Sequence, residues 1–198
     1  AAKSAGGAAN APVTLTSCEA GISAFGEDAK SAPGMAAMLR LLFLGGASTV
    51  VAVRVEGEDY AAAFAALQAV EDVRVIVCDS GDLAAHQALR SSVEAASAAR
   101  RERIAVVGMD GADVGALTER AKALNSERVV LVGPNVLDSG GQVLPGMFAA
   151  AAVAAALAVT RDPAVPLGTG ALAAPPALLA ATPMVRMALP PHTTADAS

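Results

Sequence analysis

Apolar positions along the chain follow two rhythms. Short blocks rich in β-branched residues occur at 49–55 (TVVAVRV), 73–78 (VRVIVC), 104–107 (IAVV) and 128–132 (RVVLV). Runs this short, with so much Val and Ile, are predicted to be strands. The stretches between them have helical character. Residues 59–70 are Ala-rich with Phe64 and Leu67 on one face. Residues 82–101 open on Asp82 and close on arginines, as the helix dipole favours, and residues 113–124 complete the series. Strands separated by helices predict an α/β fold. We expect a mainly parallel central sheet of at least four strands, with helices on both faces and right-handed crossovers.

The flanks are read by their punctuation. Residues 1–11 are mostly Ala, Gly, Ser and Asn and predict a loop, followed by a short extended piece at 13–16. Ser17 can cap a short helix that Gly26 ends. Pro33 suits a helix start, and Met35, Met38, Leu39, Leu42 and Phe43 then recur at helical spacing until Gly45-Gly46. Asp138-Ser139-Gly140-Gly141 predicts a turn, and Pro145 opens a helix over 146–159. Beyond Arg161, prolines at 163, 166, 175, 176, 183, 190 and 191 break any long element. The expected organisation is a core domain over 1–170 and a Pro-rich irregular extension with a disordered tail over 171–198.

Composition narrows the range of functions. The apolar fraction is 54%, much of it alanine, and aromatics are 3%, so recognition by base stacking or an aromatic cage is poorly supplied. The net charge is −5 and the basic residues are scattered, with only Arg100, Arg101 and Arg103 clustered. No basic face for nucleic acid is expected. Cys18 and Cys78 are too far apart in the chain for a short-spaced metal motif, and Cys78, closing an apolar block, is expected to be a buried free thiol in a reducing compartment. The first residues show no apolar signal-peptide core. The longest apolar run, 147–159, falls short of the roughly 20 residues a membrane span needs, so no membrane anchor is expected.

A parallel sheet places ligands at the C-terminal ends of its strands, so the segments that follow the four predicted strands are the candidates for chemistry. Glu56-Gly57-Glu58-Asp59 is too acidic for a phosphate cradle and reads as a solvated turn with a helix cap. Asp79-Ser80-Gly81-Asp82 offers an aspartate as nucleophile or magnesium ligand, but Gly81 stands where a haloacid-type phosphatase needs its second Asp, and a turn with an N-cap fits better. Residues 108–115 (GMDGADVG) are glycine-rich and lead into a helix. Asp110 replaces the second glycine of a dinucleotide fingerprint, and no Gly-Lys-Ser/Thr ending follows. Gly133-Pro134-Asn135 carries no motif. Ser80 and Ser139 lack a nucleophile elbow, and the two histidines, His86 in a helix and His192 in the tail, complete no triad. No catalytic, cofactor-binding or metal site is assigned, and no cofactor is expected.

Several segments together resemble the tail sheath protein of contractile bacteriophage tails and phage-tail-like particles. Asn10-Ala11-Pro12-Val13-Thr14-Leu15-Thr16-Ser17, with Phe25-Gly26 following, resembles the family's Asn-Pro-Val-Thr-Ser and Phe-Gly segment. LLFLGGASTVVAVRV at 41–55 is similar to its helix-to-strand passage. Residues 60–67 and 73–77 match an Ala-rich helix and the next strand, and LNSERVVLV at 124–132 matches a strand entry. Pro145 and the helix closing on Thr160-Arg161-Asp162-Pro163 complete the series. The resemblance covers about residues 10–168, while residues 172–191 do not align. The family's subunit-linking arms and tube-contacting part are not recognised here.

The resemblance implies a virion structural protein without enzymatic activity. It would be made in the bacterial cytoplasm and would self-assemble into a helical sheath whose partners are copies of itself, the tail tube and the baseplate. Contraction of that lattice would drive the tube through the target envelope. Two alternatives remain open at this point: a small Rossmann-like or flavodoxin-like enzyme holding a nucleotide at 108–115, and an adaptor domain forming no regular polymer.

Overall fold

The computed structural model describes residues 1–29, 32–111, 113–133, 135–137 and 141–160. The expected extension at 171–198, His192 and Ser139 lie outside the described residues. Strand β1 (Val13–Leu15) leads to helices α1 (Cys18–Phe25) and α2 (Met35–Leu44), then β2 (Val50–Ala52) and α3 (Tyr60–Gln68). There follow β3 (Val75–Val77), α4 (Leu83–Ala98), β4 (Ile104–Gly108), α5 (Val114–Leu124) and β5 (Val129–Val132). A hairpin of β6 (Val136–Leu137) and β7 (Val143–Leu144) precedes α6 (Gly146–Val159). No helix among the described residues is long and apolar enough to cross a membrane.

The protein is a mixed α/β fold around a three-stranded parallel sheet in the order β3-β4-β5. Its side chains alternate between two cores, as strand pleating requires. Ile76, Cys78, Ala105 and Val107 face α3 and α4, where Phe64, Leu67, Leu89 and Val93 are buried. Val77 and Val106 face the other way, onto Met35, Met38 and Leu39 of α2 and Ala150 and Ala154 of α6. With so few aromatics, α6 fits against the sheet through alanines, which let the helix approach closely.

One expected strand behaves differently. The block at 49–55 forms β2, but β2 pairs antiparallel with β1, Val13 opposite Ala52 and Leu15 opposite Val50, in a separate two-stranded sheet. It makes no ladder with β3. A cleft separates the two strands, and among the described residues only the first two of the chain enter it.

Helix boundaries follow local chemistry. Ser17 caps α1 by accepting from Ala20 N, and Gly26, at φ 80°, ends it. Helix α2 starts at Met35 without help from Pro33. Asp28 reaches across from the preceding loop, and its carboxylate accepts from the backbone N–H groups of Gly34, Ala36 and Ala37 at 2.8, 3.2 and 2.7 Å. Asp59 and Asp113 cap α3 and α5. The exposed residues Glu56 to Asp59 form the expected solvated turn and cap.

Candidate functional site

The C-terminal ends of β3 and β4 open into a polar depression of about 470 Å³, lined among others by Lys3, Tyr60, Asp79, Ser80, Asp110 and Arg120. Of the candidate polar residues, the structure brings Asp79, Ser80, Asp82 and Asp110 together here. Each is held in a specific arrangement.

Asp79 leaves β3 and turns toward α3. Its Oδ1 accepts from the Tyr60 hydroxyl at 2.7 Å, and its Oδ2 accepts from the Lys3 backbone N–H at 2.9 Å. Burial first, and then the Asp79 charge, raise the Tyr60 pKa, so the phenol stays a proton donor. Asp82 occupies the N-cap position of α4, as the turn-and-cap reading of this segment expects, but its side chain makes no capping bond; the Ser80 hydroxyl accepts from Asp82 N at 3.1 Å.

His86 lies in a helix, as the sequence predicts, in the first turn of α4, and is fully buried, at 0% exposure. Its Nε2 is 2.8 Å from the Ser80 carbonyl, and Arg120 Nη1 is 3.2 Å from its Nδ1. A guanidinium can only donate, so Nδ1 is the acceptor and Nε2–H donates to the carbonyl: a neutral imidazole. Arg120 also donates to the Gly81 carbonyl at 2.8 Å, tying α5 to the β3–α4 turn.

Burial lowers the His86 pKa, with Arg120 adding to that effect, against the Ser80 carbonyl and the charges of Asp82 and Asp110. The unfolded chain takes up a proton near pH 6.5 while the folded chain resists it. Stability is therefore full above that pH and falls as pH drops toward the lower folded value, by at most about 1.4 kcal/mol per pH unit. Urea unfolding between pH 7 and 5 is expected to show this loss, and His86→Gln should flatten it. An unchanged slope in that variant would show that His86 does not carry the effect.

The loop after β4 is built for packing. Gly108 lies where the first turn of α6 crosses the strand: a Cβ there would stand 2.1 Å from the Gly146 carbonyl oxygen. Asp110 then accepts from Gly146 N at 2.6 Å and so caps α6. Asp113 accepts from Gly115 N and Ala116 N at 3.3 and 2.7 Å. Gly111 and Asn135 exchange hydrogen bonds of 3.0 and 3.3 Å between the β4 and β5 loops. Two of the glycines that suggested a nucleotide loop thus have structural partners, and both aspartates serve helix N-termini.

Cys78 is a buried free thiol, with its pKa pushed up to about 11 by burial, and Cys18 is free and half-buried. Among the described residues no group of three or more His, Cys, Asp or Glu side chains is placed to hold a metal ion. Arg103, read from sequence as part of a basic cluster, is 2% exposed and donates to the carbonyls of Leu67 and Val70 at the end of α3. Arg101 donates to the neighbouring Gln68 carbonyl. No protein-family model matches the chain, and no curated protein matches it.

Proposed function

We propose that the chain is a structural building block: the core of a contractile tail sheath subunit, which packs with copies of itself around a tail tube and meets a baseplate at one end. In this reading residues 1–170 are the body and 171–198 an extension. The protein works in a virion or phage-tail-like particle, and β2 belongs with β3–β5 as a fourth parallel strand. The ordered series of sheath-like segments from Asn10 to Pro163 supports the choice of family. The observation that carries the building-block class is the use made of the strand-end carboxylates. Asp79, Asp110 and Asp113 are each bound to groups of the chain itself: Asp79 and Asp110 tie Tyr60 and α6 to the strand ends, and Asp113 caps its own helix α5. A contracting lattice needs a body that stays rigid while contacts between bodies rearrange, and such ties supply that rigidity.

The competing enzyme reading needs open backbone at 108–115 for a phosphate group. At Gly108 that space is taken by α6. Negative-stain microscopy and light scattering test the proposal. The 198-residue chain is expected to remain a monomer or small oligomer, because the sheath family links its subunits through arms not recognised here. The same body carrying terminal arms of the sheath family's kind is expected to form tubes. A monomer at every salt concentration in that longer form, together with saturable nucleotide or flavin binding, would move the protein to the enzyme class.

A further inference from the structure

The cleft between β2 and β3 has a volume of about 490 Å³ and is mainly apolar. Val50, Val51 and Ala52 line one side, Val73, Val75 and Val77 the other, with Met38 and Leu39 above and Leu67 and Val70 below. Its geometry is that of a sheet from which one strand's length is open.

One end of the cleft shows the spacing directly. Ala2 donates to the Val53 carbonyl at 3.1 Å and accepts from Val55 N at 2.9 Å, a parallel bridge opposite Arg54. On the other side the Ala1 nitrogen donates to the Val77 carbonyl at 2.9 Å. Ala1 and Ala2 thus lie between the two strands, bonded to both, and run parallel to β2. Their side chains alternate as those of a central strand do. Ala1 packs into the α3/α4 core, and Ala2 is buried, at 1% exposure, in the α2/α6 core.

Backbone groups alternate in direction along a strand. Val53 and Val55 turn theirs to Ala2, so Val51 and Thr49 point theirs into the cleft. Val77 turns its carbonyl to Ala1 and the Arg74 carbonyl accepts from Ile104 on the opposite side, so Val75 and Val73 also face the cleft. Among the described residues, none of these four has a ladder partner on that side. Peptide groups in apolar surroundings call for pairing.

We propose that this cleft seats one further strand: extended, apolar polypeptide running into Ala1 from its amino side, parallel to β2 and β3. Seated there, it joins the two sheets into one of six strands, β1-β2-new-β3-β4-β5. Ala1 already stands opposite Val53, so about four residues fill the length from Thr49 to Ala52 at about 3.3 Å each. The residue next to Ala1 faces Met38, Leu39 and Ala154, and the one before it faces Leu67 and Val70. Both faces are therefore apolar. The proposal does not depend on the sheath reading, since any function built on this body requires the same sheet.

Amide hydrogen exchange tests it on three forms of the 198-residue chain: unextended, extended before Ala1 by Val-Ile-Val-Ala-Val, and extended by the same peptide with glutamate at its centre. The apolar extension is expected to slow exchange at Val51 and Val75 by about tenfold or more and to raise Tm, while the glutamate form, which would bury a charge, does neither. Equal exchange in all three forms would overturn the proposal. Equal protection by the free peptide added in trans would replace a strand of the same chain with a partner's. Protection already present in the unextended chain, and lost on deleting residues 161–198, would assign the cleft to that segment.

Discussion

Replacing Arg103 with methionine is expected to destabilise the protein by about 2–4 kcal/mol, although Arg103 touches no candidate site. The side chain lies just before β4 and runs inward to the end of α3, where it donates to the Leu67 and Val70 carbonyls. The last carbonyls of a helix have no partner within it, and the helix dipole places partial negative charge there. A guanidinium answers both needs. Hydrogen bonds to a charged donor contribute about 1.5–3 kcal/mol each. The cost of burying the cation offsets part of that, and Nε finds no acceptor, which lowers the net gain further. Methionine keeps most of the volume, takes the guanidinium donor from the Val70 carbonyl and leaves the Leu67 carbonyl with backbone N–H donors alone, that of Val70 among them. Lysine, with one compact ammonium, should recover part of the loss because it cannot span both carbonyls. Urea unfolding of the two variants measures this. A loss below about 0.5 kcal/mol in the methionine variant would place Arg103 among ordinary surface residues.

The same residue shows what the sequence could and could not disclose. The element series was legible because it rests on local rules. The β-branched blocks became β2 to β5, Ser17, Asp59 and Asp113 capped the helices they precede, and α6 spans residues 146–159 as its Pro145 start implies. What stayed hidden depends on contacts between distant segments. Arg103 looked like part of a basic cluster because nothing in its neighbourhood announces α3, more than thirty positions earlier. Asp28 caps α2 from outside the usual N-cap position, where the local sequence offers only Pro33 as a helix-start signal. Tyr60 and Asp79 meet only after β3 is laid beside α3. The burial of His86 depends on Arg120 arriving with α5. The pairing of β2 was missed for a related reason: its apolar pattern is equally suited to a parallel or an antiparallel partner, and its neighbour β1 comes from a segment read only as extended. The glycines at 108–115 carried a double meaning that pattern alone could not resolve.

That ambiguity leads to the second large effect. Gly108→Ala is expected to cost about 3 kcal/mol, a fall in Tm of roughly 6–12 °C. The added Cβ would stand 2.1 Å from the Gly146 carbonyl oxygen, 2.3 Å from its carbon and 2.9 Å from Met147 N. All three are backbone atoms of the first turn of α6, so no side-chain rotation relieves the clash. Either the helix moves off β4 or the strand bends away from β5, with which Gly108 pairs opposite Val132. Moving α6 opens the core it shares with α2 and loosens the Asp110 cap on Gly146. Gly146→Ala meets the same crossing from the other side, its Cβ 2.6 Å from the Met109 carbonyl oxygen. The double variant should therefore cost much less than the sum of the two, because one displacement of the helix accommodates both methyl groups. Thermal unfolding of the two single variants and the double variant provides the cycle. A nucleotide loop predicts a different result: Gly108→Ala would leave the free protein's Tm in place and abolish ligand binding. An unchanged Tm in the single variant would thus overturn the packing role of Gly108 and reopen the strand end to chemistry.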